Sequence, residues 1–86
     1  MTDMRLDDYL STVGVVKRRT VAKELAQNGL VEVGGRRVKP AYQVNLKDVI
    51  AIKGTHGVTV EVVGIPSGSV PKDDRDKYFK YLHRSV

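Results

Sequence analysis

The side chains best suited to chemistry in this 86-residue sequence are Lys17, Arg18 and Arg19, three cations in a row. They open a segment with helical periodicity, at the end where the helix dipole disfavours positive charge by ~0.3–1 kcal/mol per exposed group. A phosphate reverses that sign, because helix-start amides together with guanidinium and ammonium groups form an anion site, and Arg can grip phosphate through two parallel hydrogen bonds. Lys23 stands one turn after Arg19 and extends the face. Arg36, Arg37 and Lys39 follow the pair Gly34-Gly35 and broaden the surface if that hairpin packs against the helix, although strand alternation keeps them from all pointing one way. Arg19 is the first candidate, and Arg19→Ala is expected to leave the melting temperature nearly unchanged, because an exposed helix-start Arg contributes little packing. The plainer alternative is a set of solvated surface cations that stabilise almost nothing.

Other chemistry finds little support. Cysteine is absent, and the histidines are His56, in an expected loop, and His83, near the end, neither with a ligand motif beside it. Asp7 and Asp8 diverge by about 100° on a helix and read as solvated acids. Asp73, Asp74 and Asp76 read as helix-start electrostatics in preference to a magnesium site. Gly34-Gly35 lacks the Lys and Ser/Thr of a phosphate loop. The expectation is a protein that is not an enzyme and uses no catalytic residue, metal or cofactor.

Composition agrees on the type of partner. Residues 17–39 carry seven basic side chains against Glu24 and Glu32, so the whole net charge of +5 can be matched by this one segment. Clustering of that kind suits a polyanion. No apolar run approaches the ~18 residues of a membrane span, and no basic start precedes an apolar signal core. The sequence reads as a cytoplasmic, soluble protein with a thin aliphatic core and one Phe.

The elements that must position the cations follow from periodicity. Leu6, Tyr9, Leu10 and Val13 fall at i, i+3, i+4, i+7, predicting a helix capped by Thr2 or Asp3 and stopped at Gly14. A second helix is predicted from Lys17 to Asn28, with Ala22, Leu25 and Ala26 inward and Gly29 ending it. Val31 and Val33 alternate with Glu32 into a Gly34-Gly35 hairpin turn, with Arg36–Lys39 returning. Val49–Lys53 and Val58–Val63 are further strands, joined by a loop over Gly54–Gly57. Ile65–Ser69 reads as a linker, and Pro71 with Asp73, Asp74 and Asp76 as the first turn of a third helix. Asp73–Lys77 and Asp76–Lys80 are its i, i+4 pairs. Tyr78, Phe79, Tyr81 and Leu82 are concentrated here, and Tyr78, Tyr81 and Leu82 read as the apolar side that docks this helix, in preference to a platform for stacking bases.

Arg5-Leu6-Asp7, Lys17-Arg18-Arg19-Thr20-Val21-Ala22-Lys23-Glu24, Gly29, Val31-Glu32-Val33-Gly34-Gly35 and Lys39-Pro40 together resemble the S4 RNA-binding domain in order and spacing, over roughly residues 4–53. Within that family the chain is similar to the free-standing bacterial type, including heat shock protein 15 and a ribosome-associated quality control protein. Arg18 stands where a Ser is usual, Gly34-Gly35 where Asn-Gly is usual, and Lys47-Asp48 where Gly-Asp is usual. The resemblance implies an α+β fold, an S4-like (αL) domain with two helices packed on a small, mainly antiparallel sheet plus a short C-terminal helix. Residues 1–64 would form the domain and 65–86 the linker and helical appendage. It implies RNA contacts by Arg5, Lys17, Arg18, Arg19, Thr20, Lys23, Gly34, Arg36, Arg37 and Lys39, with Arg5 alternatively paired to Asp8. The implied partner is ribosomal RNA of the large subunit, with tRNA as a further candidate, in rescue of obstructed nascent chains. Neither a membrane nor a small-molecule substrate is expected, and the free chain is expected to be monomeric. The alternatives are a regulatory module binding DNA or mRNA, and an RNA-recognition subunit of a modifying enzyme.

Overall fold

The computed structural model describes residues 4–54, 57–66 and 70–84, the side chains of Lys72 and Arg84 excepted. In chain order these form α1 (Leu6–Thr12), α2 (Arg19–Gln27), β1 (Val31–Val33), β2 (Arg36–Arg37), β3 (Val49–Ile52), β4 (Val58–Val62), a 3-10 turn (Lys72–Lys77) and β5 (Phe79–Arg84). The strands make one antiparallel sheet in the order β2-β1-β3-β4-β5. Among the described residues no helix is long and apolar enough to cross a membrane.

The helical spacing of Leu6, Tyr9, Leu10 and Val13 puts all four in the core, each at most 1% exposed. They meet Ala22 and Ala26 of α2, whose small side chains let the two helices approach closely, and Val31, Ile50, Ile52, Val60, Val62 and Phe79 of the sheet. Both helices therefore cover the same face. The opposite face carries Val49 and the Glu32–Lys53 ion pair (2.9 Å), as expected for an antiparallel sheet with one face in water. Gly34 and Gly35 both have positive φ, 60° and 85°, the backbone a two-residue primed turn demands.

Several expectations are corrected. The start of α1 falls at Arg5, which has extended backbone and makes no side-chain cap; Thr2 and Asp3 lie outside the described residues. The free amides at that end are met from the loop before β3: Leu6 donates to the Tyr42 carbonyl (2.7 Å) and Asp7 to that of Pro40 (3.3 Å). The second helix begins at Arg19, so Lys17 precedes it and Arg18 is its N-cap.

The expected C-terminal helix is only the 3-10 turn, after which the chain becomes strand β5. Phe79-Lys80-Tyr81 alternates at period two, and Phe79 and Tyr81 stand opposite Val62 and Val60, so pairing satisfies the open edge of β4. The expected i, i+4 ion pairs are replaced by Asp74–Lys77 at i, i+3 (2.9 Å), the spacing that a 3-10 turn brings together. The expected docking side of Tyr78, Tyr81 and Leu82 is corrected as well: Phe79 is the buried residue and Tyr78 partly so, while Tyr81 and Leu82 are exposed, because a strand turns successive residues to opposite faces. The expected hairpin loop at Gly54–Gly57 and the expected linker Ile65–Ser69 lie partly outside the described residues, His56 among them.

Two tyrosines tie these parts together. The buried Tyr9 hydroxyl donates to the Tyr78 carbonyl (2.6 Å), anchoring the entry to β5 on α1. Burial pushes its phenol well above the usual tyrosine range. Tyr42 donates to Asp48 Oδ2 (2.9 Å), and burial first, then the Asp48 carboxylate, raises its pKa too.

Lys47 holds a left-handed backbone (φ 71°) so that its amide can reach the Val62 carbonyl (2.8 Å) while Val62 donates to Asp48 (2.8 Å). A Cβ in that region costs roughly 1–2 kcal/mol. Lys47→Gly should accordingly leave stability unchanged or raise it by up to about 1 kcal/mol, once the added freedom of the unfolded chain is set against the relieved strain. Urea denaturation checks this, and a clear loss would mean that the Lys47 side chain itself holds the turn.

Candidate nucleic-acid interface

The basic residues do not share one electrostatic situation. Asp7, in the first turn of α1, is 1% exposed and is the buried acid around which two of the cations are organised. Arg5 grips it with both prongs, Nε to Oδ1 at 3.2 Å and Nη2 to Oδ2 at 3.1 Å. The Asp8 amide donates to Asp7 Oδ1 (2.8 Å). Arg19 reaches across from α2, its Nε 3.6 Å from Asp7 Oδ2 and 3.0 Å from Asp8 Oδ1.

This overturns three readings of the sequence. Asp7 is not solvated, Arg5 pairs with Asp7 in place of Asp8, and Arg19 is not a cation left waiting at a helix end. Two residues one step apart on a helix can both touch the same guanidinium when it comes from a neighbouring element, because the long Arg side chain spans the angle between them. The triplet Arg5-Leu6-Asp7 contributes to the family resemblance, yet sequence spacing alone gives its acid no role.

Lys17, Arg18, Thr20 and Lys23 are exposed, and among the described residues none of these three cations is in an ion pair. The first turn of α2 contains no acid, and its N-cap makes no side-chain hydrogen bond. The first-turn amides and two ungripped cations thus stand together, an arrangement that receives a phosphate with little rearrangement.

Arg37 runs beside the C-terminal end of α2, its Cδ 3.4 Å from where a Cβ on Gly29 would sit, which suits the negative end of the dipole. From there the chain passes Lys39 to Pro40, whose carbonyl takes the Asp7 amide. Lys39 is therefore brought near the Arg5–Asp7–Arg19 cluster. Gly34, Arg36, Arg37 and Lys39 are exposed. The cations thus comprise Lys17, Arg18 and Lys23, outside any ion pair among the described residues, Arg5 and Arg19 held by Asp7 and Asp8, and the exposed Arg36, Arg37 and Lys39 of the β1–β2 hairpin and the chain just after it.

Among the described residues no group of His, Cys, Asp and Glu has the arrangement of a metal site.

Comparison with known proteins follows the same residues. A family model described as the S4 domain matches residues 4–50, more than half of the chain. A protein of Listeria innocua named RQC P-site tRNA stabilizing factor is 36% identical over 78 residues, covering 90% of this chain and 85% of that one. Its namesake in Helicobacter pylori is 35% identical over 77 residues, 87% and 92% of the two chains. Neither name describes an enzyme. In three dimensions the heat shock protein 15 of Vibrio cholerae, described as trimeric, superposes with a TM-score of 0.83 over 92% of this chain and 81% of its own. At 22% identity that likeness speaks to the fold alone.

Proposed function

The chain belongs to the S4 domain family, and from that membership we propose that it binds structured ribosomal RNA on the large subunit, together with tRNA, during quality control of obstructed nascent chains. It does so in the cytoplasm, as a monomer when free. The relatives that match it over most of their length are named for stabilising a P-site tRNA, which supports this role. The observation that carries the reading is that Lys17 and Arg18 are exposed and outside any ion pair among the described residues, at the start of α2, whose N-cap makes no side-chain hydrogen bond.

In this reading Lys17, Arg18, Thr20 and Lys23 hold phosphates directly, and Lys39 with Gly34, Arg36 and Arg37 tracks a neighbouring stretch of backbone. Arg5 and Arg19 serve mainly to fix the starts of both helices, with their outer nitrogens facing the RNA. Recognition is by backbone position and shape, because an A-form major groove is too narrow for side chains to read.

Sedimentation of the protein with ribosomal subunits in lysate tests the proposal. It should travel with the large subunit at low salt. If Lys17, Arg18, Lys23 and Lys39 each meet one phosphate, affinity should fall on the order of a hundredfold between about 50 and 200 mM salt. Absence from the large subunit at low salt, or duplex DNA bound as tightly as structured RNA, would overturn it.

A further inference from the structure

Arg75 is the one described side chain with a buried nitrogen, its Nε, that has no hydrogen-bond partner. It rises from the 3-10 turn and lies against bare backbone at the end of α1, its Cδ and Nη1 3.0 and 3.5 Å from where a Cβ on Gly14 would sit. Gly14 has φ +84°, so a larger residue there would strain the backbone and press against the Arg75 side chain. A buried donor without an acceptor is unfavourable by about 1–3 kcal/mol. The fold nonetheless holds Arg75 in that place.

The groove beside it has a volume of about 530 Å3 and is lined by Gly14, Asp73, Arg75, Asp76, Phe79 and Tyr81. Among the described residues neither Asp73 nor Asp76 is in an ion pair. Tyr81 meets Phe79 edge to face, with ring centroids 5.0 Å apart at 88°. Tyr81 is 45% exposed.

These groups discriminate between ligand classes. Two carboxylates oppose a phosphate, and a guanidinium opposes a cation. A flat neutral group that carries both an acceptor and a donor on one edge, and a π-face to stack, satisfies all of them. A nucleobase has those features, and an exocyclic amine offers its donor at the periphery of the edge, where a carboxylate meets it without the two flanking carbonyl oxygens that enclose the N3–H of uracil.

We propose that this groove takes one unpaired adenine, cytosine or guanine of the bound RNA, stacked on Tyr81. Arg75 donates to an acceptor on the base edge, and Asp73 or Asp76 accepts from the amine. The proposal rests on the RNA-binding reading and deepens it. The groove begins at Val13 and Gly14, roughly 8 Å along the axis of α1 from Asp8 at 1.5 Å per residue, so a strand held near Arg19 needs only a few nucleotides to reach it.

The test is binding of the full chain to an RNA hairpin, blunt or with a three-nucleotide single-stranded 3′ overhang of adenines or of uridines. The adenine overhang should tighten binding roughly fivefold or more, and the uridine overhang less. Tyr81→Ala and Arg75→Ala should each remove that gain and leave the affinity for the blunt hairpin unchanged. If Arg75→Ala fails to fold, Tyr81→Ala decides alone.

An overhang that adds nothing, or a gain that survives in Tyr81→Ala, overturns the base site. Competition by a tenfold excess of free adenosine monophosphate would shift the ligand from RNA to a free nucleotide and likewise overturn it. Loss of binding to the blunt hairpin with the overhang's gain intact supports the groove and sinks the phosphate face instead, so the two failures are distinguishable.

Discussion

Asp7→Ala should lower the melting temperature by on the order of 10–20 °C, a larger effect than removal of any one cation around it. The carboxylate is buried and accepts from both prongs of Arg5 and from the Asp8 amide, with Arg19 Nε also within ion-pair range of Oδ2. Hydrogen bonds to charged groups contribute about 1.5–3 kcal/mol each when well shielded. Here the two arginine side chains are 42% and 55% exposed, so solvent screens them and each contact must be discounted. A net loss of about 2–3 kcal/mol remains, and in a domain of this size 1 kcal/mol shifts the melting temperature by roughly 4–8 °C.

Asp7→Asn keeps the shape and one acceptor and should lose about half as much. Thermal unfolding by circular dichroism of both variants checks the ranking. Equal, small losses would show that the buried acid contributes packing and little electrostatics.

The same contacts change what Arg19 can report. Its bond to Asp8 and its approach to Asp7 mean that Arg19→Ala removes a link between α1 and α2 as well as a cation. The expectation from sequence that Arg19 is dispensable for stability is therefore withdrawn.

Lys17 and Arg18 offer the cleaner experiment. The double variant Lys17→Ala/Arg18→Ala should weaken binding to structured RNA by ten- to thirtyfold, about 1.4–2 kcal/mol, while the melting temperature moves by no more than about 2 °C. Both side chains are exposed and outside any ion pair among the described residues, so folding gains little from them. Their loss should also flatten the salt dependence, by about one unit of slope for each phosphate contact removed. Reduced affinity with an unchanged slope would mean that these residues shape the loop before α2 and do not touch phosphate. A large drop in melting temperature would falsify the division drawn here between structural and binding arginines.

By itself the sequence determined the local features of this protein. The spacing of Leu6, Tyr9, Leu10 and Val13 is a helix face wherever it is placed, and Val58, Val60 and Val62 alternate as a strand must. Gly34-Gly35 dictates a turn because both residues need positive φ. The positive charge on residues 17–39 is fixed by composition, and with it the preference for a polyanion.

What only the tertiary structure decided depends on groups brought together from distant parts of the chain. Asp7 is adjacent to Asp8 in sequence, yet it is buried because the loop around Pro40 and Tyr42 closes over the start of α1. Arg19 becomes an ion-pair partner because α2 packs beside that same turn. The C-terminal segment alternates too briefly to specify a strand, and the open edge of β4, an interaction with no local trace, makes it one. Arg75 faces Gly14 across some 60 residues of chain, so no local pattern could anticipate that groove. Periodicity encodes which face a residue occupies; which other residues meet it there is set by packing between elements, and that is where the cations of this surface divide into those that hold the fold and those outside any ion pair among the described residues.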